Sequence, residues 1–307
     1  MILQQLHKKG LYTAPNFILS NTQYVTRTGS VAYGCSSDCS DEDFYGFCIP
    51  PLEMIFPHLA GEIEGFGRQK KRFEQQQNHH IEDKEEGKMY DITIFNIVKY
   101  FSLCMECNPN MLDTLFTPVN CIVHSTQISN LVRENRKIFL HKGAWPKFKG
   151  YAFSQLHKMS SKNPEEGSNR AELREKYGYD VKFGCHVVRL LLEVEMILAE
   201  GDLDIQRHKE QLKAIRRGEV KEEEIRQFFT EKEKSLEKLY NESKLPWGPD
   251  EDKIKKLLLN CLEMHYGNID KCIVIPGAAE NALKDIQEIM NKYNQTKIGE
   301  VSPKTLQ

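Results

Sequence analysis

The chain has 307 residues and a formal net charge of -2, with 40% hydrophobic and 28% charged residues. That is an ordinary globular composition, and no apolar run approaches the roughly 20 residues that span a membrane. Nine cysteines, an odd number in a long chain, fit a reducing, cytoplasmic setting better than a disulfide framework. In chain order, residues 1–9 read as a short amphipathic helix without the apolar core of a signal peptide. The β-branched and aromatic run at 24–28 (Tyr-Val-Thr-Arg-Thr) reads as a strand, broken by Gly29-Ser30. A glycine there lets a phosphate approach the backbone, and the serine hydroxyl with neighbouring N–H groups can hold phosphate oxygens. A second strand follows at 44–49, entered through Asp41-Glu42-Asp43. Alternate strand residues share a face, so Asp41 and Asp43 stand about 7 Å apart on one side. Two such carboxylates beside a phosphate cradle suit a pair of Mg²⁺ ions on a triphosphate. The bland alternative is an acidic, glycine-containing surface hairpin.

Gly-Ser, a short loop and helix, then Asp-x-Asp on the next strand resembles the signature of the DNA polymerase β-like nucleotidyltransferase superfamily. The opening Gly29-Ser30-Val31-Ala32-Tyr33-Gly34 and the close Ser40-Asp41-Glu42-Asp43 resemble, more narrowly, the RlaP/YcgL-type nucleotidyltransferases. The compound motif carries the resemblance; neither half would alone. One departure is Glu42, where the superfamily has an apolar residue between the aspartates. Its side chain points away from the metal face, so the departure concerns packing behind the strand.

Residues 51–88 read as an excursion, with Pro50-Pro51 ending the Asp-bearing strand and Gly61, Gly65 and Gly67 punctuating a loop or short helix. The polar segment 70–81 fits an exposed edge strand, 82–88 a charged turn, and 89–95 (Met-Tyr-Asp-Ile-Thr-Ile-Phe) a strand. The resemblance implies that Asp91 is a third carboxylate, binding the catalytic metal and activating the attacking hydroxyl. The structural alternative for Asp91 is a helix N-cap, because 95–101 also reads as helical. At Asn108-Pro109-Asn110 the proline ends one helix and the second asparagine is placed to cap the next. Cys104 and Cys107 form a single Cys-x-x-Cys, which without a second ligand pair does not make a zinc site. For Cys35 and Cys39 the loop's phosphate role is the better reading.

Beyond about residue 120 the chain reads as helical. Tyr151, Gln155 and Lys158 share a helix face, and 160–169 reads as a mobile loop and candidate lid. A helix starting near 179–180 is apolar nearly all round and therefore central. Against that background Lys182, His186, Arg189 and Glu193 form one polar stripe. It either lines the cleft or forms an internal salt-bridge row, and both can hold at once, with Glu193 pairing to Arg189 while Arg189 and Lys182 meet phosphate. Tyr-Asp-x-Lys followed by His-x-x-Arg-Leu-Leu extends the resemblance, which runs from about residue 24 to 201. Amphipathic helices over 203–242, a break at 245–249, a helix opened by Asp250 and a last helix over 278–293 complete the reading. Residues 133–189 hold 13 Lys and Arg against 6 Asp and Glu, a basic middle in an acidic chain.

The expected architecture is α+β: a polymerase β-like nucleotidyltransferase core with a mixed sheet over residues 1–120, then a helical domain over 121–307 completing the cleft. The resemblance implies two-metal transfer of an NMP from an NTP. Asp41 and Asp43 would hold both Mg²⁺ ions, Asp91 the catalytic one, and Gly29 and Ser30 the β/γ-phosphates. The acceptor it implies is an RNA 3′ end, such as that of tRNA in repair. Two other classes stay open: transfer to a small molecule or protein side chain, and a non-catalytic RNA- or nucleotide-binding module.

Overall fold

The computed structural model describes residues 1–36, 42–55, 72–161, 169–267, 283 and 286–291. Residues 1–265 form one compact unit and Tyr266–Gln307 another. In the second unit, residues 286–291 are helical; most of the helix expected over 278–293 lies outside the described residues.

The first unit is an α+β fold around a five-stranded mixed sheet of order β3-β4-β2-β1-β5. Helices α1 (Ile2–Lys8) and α2 (Asn16–Asn21) precede β1 (Thr22–Arg27), which is followed by a single helical turn, α3 (Gly29–Ala32). Next come β2 (Glu42–Cys48), α4 (Leu52–Ile55) and a hairpin of β3 (Gln75–Asp83) and β4 (Lys88–Asn96). β3 is the edge strand its polar sequence predicts. β4 lies parallel to β2, whereas β1 pairs antiparallel with β2. The alternation of side chains then sorts the sheet's two faces. Val25, Phe44, Cys48, Tyr90, Ile92 and Ile94 pack under the N-terminal helices with Leu3, Leu6, Tyr12 and Ile18.

The opposite face meets α5 (Ile97–Met105) and α6 (Pro109–Leu115). Phe47 packs between Tyr24 and Tyr100, with ring centroids 5.9 and 4.9 Å away. The Tyr24 hydroxyl donates to the Thr114 carbonyl at 2.9 Å. Asn96 caps α5, its side chain accepting from the Val98 N–H. The cap of α6 is Asn108, with Pro109 in the first turn, and not the second asparagine, Asn110. Proline suits the first helical position, where its missing N–H costs nothing, so the capping residue is the one before it.

A further strand, β5 (Ile122–Ser125), pairs with β1 and extends the sheet past residue 120. The segment expected to turn helical there is thus first a four-residue strand, too short to show a period. Helices α7 (Gln127–Glu134), α8 (Ala144–Ser161), α9 (Asn169–Tyr177) and α10 (Val181–Glu200) follow. The lid expected over 160–169 falls for the most part outside the described residues. α10 is the centre of the helical layer, with 15 of its 20 residues buried and Asp180 capping its start. It packs against α8, α11 (Lys209–Arg216) and α12 (Glu222–Glu242), and α13 (Glu251–Tyr266) follows the expected break. Among the described residues no helix is long and apolar enough to cross a membrane.

Candidate active site

β1 ends in Arg27, and the chain turns back across the end of β2. The Thr28 N–H donates to the Asp43 carbonyl at 2.8 Å, which pins the turn to the strand. Gly29 then takes φ +63°, a left-handed conformation that costs other L-residues about 1 kcal/mol or more. A Cβ on Gly29 would stand 2.5 Å from Asp43 Oδ2. The glycine is therefore required twice, by its backbone angle and by the carboxylate against it. Gly29→Ala should lower the melting temperature by a few degrees and displace the Asp43 carboxylate. Steady-state kinetics should show both a higher KM for nucleotide and a lower kcat, a combination that loss of stability alone does not give.

Asp43 and Asp91 are register partners on the parallel strands β2 and β4. Partners in such a pair share a face, with backbones about 4.8 Å apart. The two aspartates, 48 positions apart in the chain, thus meet beside the Gly29–Ser30 turn. Glu42 points the other way, to Arg27 Nε and Lys88 Nζ, each 3.2 Å from a Glu42 oxygen. Those two cations explain an acidic residue where the superfamily pattern is apolar. Asp41 lies outside the described residues. Asp91 sits inside β4 and does not cap α5, since Asn96 does.

Two residues that sequence reasoning passed over enclose the Asp91 carboxylate. The register of β3 against β4 shifts between Asn78 and Ile81, and His80 takes φ +56° in that bulge. Its N–H donates to Asp91 Oδ1 at 2.7 Å, while His79 Nδ1 lies 3.3 Å from Oδ2. Bulges re-aim side chains at the edges of sheets, and a strained non-glycine residue is the mark of such a position. The only signal in the sequence was a pair of histidines in a polar strand. Tyr45 stands on the same face; burial first, then the carboxylates of Asp43 and Asp91 and the phenol of Tyr151, push its hydroxyl pKa upward. Tyr151, 38% exposed on α8, also accepts from Asn108 at 3.4 Å.

Among the described residues no three His, Cys, Asp or Glu side chains form a group able to hold a metal ion. The described part of the donor set, two carboxylates beside a cradle that a Cβ would fill, fits a hard divalent cation. The Cys104 and Cys107 thiols are buried, and burial pushes both pKa values up, that of Cys107 to about 12. They are buried core thiols, and among the described residues they belong to no cluster of three metal-ligating side chains.

The helical stripe divides. Lys182 is half-buried in the first turn of α10. Arg189 is only 4% exposed, its Nη1 donating to Asp113 Oδ2 at 2.5 Å and to Glu193 Oε2 at 2.9 Å. The internal bridge from Arg189 to Glu193 is present, and a second carboxylate, that of Asp113, encloses the same guanidinium. Asp113, missed by sequence reasoning, comes from α6 and completes the cluster.

Part of the basic middle is engaged within the fold. Lys137 pairs with Asp202 at 2.6 Å, Lys147 with Glu106 at 3.1 Å and Lys149 with Glu233 at 2.8 Å. Lys142 is buried over the Trp247 ring, 4.2 Å from its centroid.

The RlaP family, described as an RNA repair pathway DNA polymerase beta family, matches residues 6–257. The chain belongs to this family. RlaP membership covers the whole sheet, the Gly-Ser turn, both described aspartates and the helical layer into the first half of α13. It places the chain among polymerase β-like nucleotidyltransferases of RNA repair. No curated protein matches the chain.

Proposed function

We propose that this RlaP-family protein is a Mg²⁺-dependent nucleotidyltransferase that moves an NMP from an NTP to an RNA 3′-hydroxyl, with tRNA ends as the substrate in repair. The observation that carries the reading is the pairing of Asp43 with Asp91 in register, directly beside the Gly29–Ser30 turn. Asp41 and Asp43 would hold two Mg²⁺ ions, and Asp91 one of them. When bound, the metals would supply charge neutralisation for the triphosphate and lower the pKa of the attacking hydroxyl. The Gly29 backbone and Ser30 hydroxyl hold the β/γ-phosphates, and Lys182 approaches the triphosphate from the helical side. Asp91, oriented by His79 and His80, faces the acceptor hydroxyl. Pyrophosphate leaves as the acceptor oxygen attacks the α-phosphate.

The choice of RNA rests on the family description more than on charge, because three lysines of the middle segment are paired with acids of the same chain. That same observation favours a second reading, in which the acceptor is a small molecule or a protein side chain. Incubation with Mg²⁺, each labelled NTP in turn and total RNA separates the readings. Label is expected in RNA. Label in protein or a small molecule selects the second reading, and nucleotide binding without incorporation makes the protein a binding module.

A further inference from the structure

Tyr33 closes the one-turn helix α3. Its N–H donates to the Gly29 carbonyl at 3.2 Å, and the Cys35 N–H donates to the Ser30 carbonyl at 2.9 Å. Residues 29–35 are thereby wound into one unit, so whatever fixes Tyr33 also fixes Gly29 and Ser30. The Tyr33 side chain, 6% exposed, is held in two ways. Its hydroxyl donates to Asp113 Oδ2 at 2.6 Å. Its ring lies under the Arg189 guanidinium, 4.2 Å from carbon to centroid, a cation–π contact that gains strength when water is excluded.

The anchor is costly. Asp113 is 3% exposed and Glu193 2%, and one arginine serves both carboxylates. Burial raises the pKa of both acids, Glu193 furthest, although Arg189 opposes it. Asp113 Oδ1 and Arg189 Nε still have no hydrogen-bond partner among the described residues. Buried ionic groups of this kind add little stability over an apolar replacement. What this one does is join three separate elements, α3, α6 and α10, at one point. A second tie lies alongside: Gln206 Nε2 donates to the Ala32 carbonyl at 2.8 Å. A third is the Cys35 thiol, drawn down to about 7 chiefly by its hydrogen bond with Cys185 of α10, with burial opposing.

We propose that Tyr33 is a positioning residue for the triphosphate: its hydroxyl, held by Asp113, and its ring, under Arg189, set the Gly29–Ser30 turn against Asp43. The inference rests on the phosphate-binding part of the reading above, and so its test reads phosphate binding without requiring transfer. Tyr33→Phe removes only the hydroxyl and keeps the ring under Arg189. Mg²⁺-tripolyphosphate, titrated calorimetrically into the full chain, probes the cradle without a choice of base. Tyr33→Phe should weaken its Kd roughly tenfold, since small misplacements of binding groups are expensive, with a nearly constant melting temperature. Asp113→Leu should weaken it similarly, and the double variant should lose no more than the worse single one. Tyr12→Phe is the matched control. That phenol is also buried, on the other face of the sheet, and its hydroxyl has no partner among the described residues; its Kd should be unchanged. Wild-type affinity in Tyr33→Phe overturns the positioning role and leaves nucleotidyl transfer standing. A Tyr33→Phe protein unfolded at the assay temperature makes the tie a stability element and overturns it as well. No binding by the wild type removes the phosphate cradle itself, and the inference with it.

Discussion

Asp43→Asn is expected to abolish nucleotide transfer while leaving the melting temperature unchanged or higher. Asp43 lies between the two features that define the site: Gly29 stands against its carboxylate, and Asp91 is its register partner. Two carboxylates on adjacent strands repel each other in the metal-free protein, and a neutral amide relieves that repulsion. The backbone is indifferent to the change, because the bond that pins the turn uses the Asp43 carbonyl, not its side chain. Asparagine also keeps the shape that Gly29 packs against. Stability and activity should thus move apart, which separates a ligand from a structural acid. The measurement is incorporation of labelled NMP at saturating Mg²⁺ and NTP, paired with thermal unfolding in chelator. Turnover close to wild type would remove Asp43 from the metal site.

The sequence disclosed whatever depends on near neighbours. The strands at Thr22–Arg27 and Lys88–Asn96 were legible because β-branched and aromatic residues crowd them. α10 was legible because it is apolar on every side, which only a buried helix tolerates. The i, i+4 bridge from Arg189 to Glu193 followed from helix geometry alone. Contacts between distant segments left no such trace. Nothing near Arg189 announces Asp113, 76 positions earlier, and nothing in Ala-Tyr-Gly indicates that the Tyr33 phenol reaches α6. β5 was missed because four residues show no period, and the bulge at His79–His80 because bulges carry no fixed composition. The charge of the middle segment was countable, but acids paired with it, Asp202 in the loop after α10 and Glu233 in α12, come from elsewhere in the chain.

Asp91→Asn should cut the transfer rate by about 10²–10⁴-fold, the range typical of losing a group that handles the reacting proton, with nucleotide binding nearly intact. The two effects separate under the proposed function, in which Asp91 serves the acceptor and the turn at Gly29–Ser30 holds the triphosphate. The fold should tolerate the change. An asparagine oxygen still accepts from the His80 N–H, so the bulge keeps its anchor and His80 its left-handed angle. Asp91→Ala differs in that respect. It removes the acceptor altogether, and a residue held at positive φ without its partner relaxes toward the ordinary β region. The alanine variant should therefore show faster amide exchange at residues 78–81 as well as lost activity, and the asparagine variant lost activity alone. Single-turnover kinetics give the chemical rate, and equilibrium dialysis of the NTP gives the affinity. Comparable losses of rate and affinity in Asp91→Asn would mean that Asp91 holds the nucleotide and not the acceptor. An unchanged rate would leave it the single task of shaping the β3 bulge.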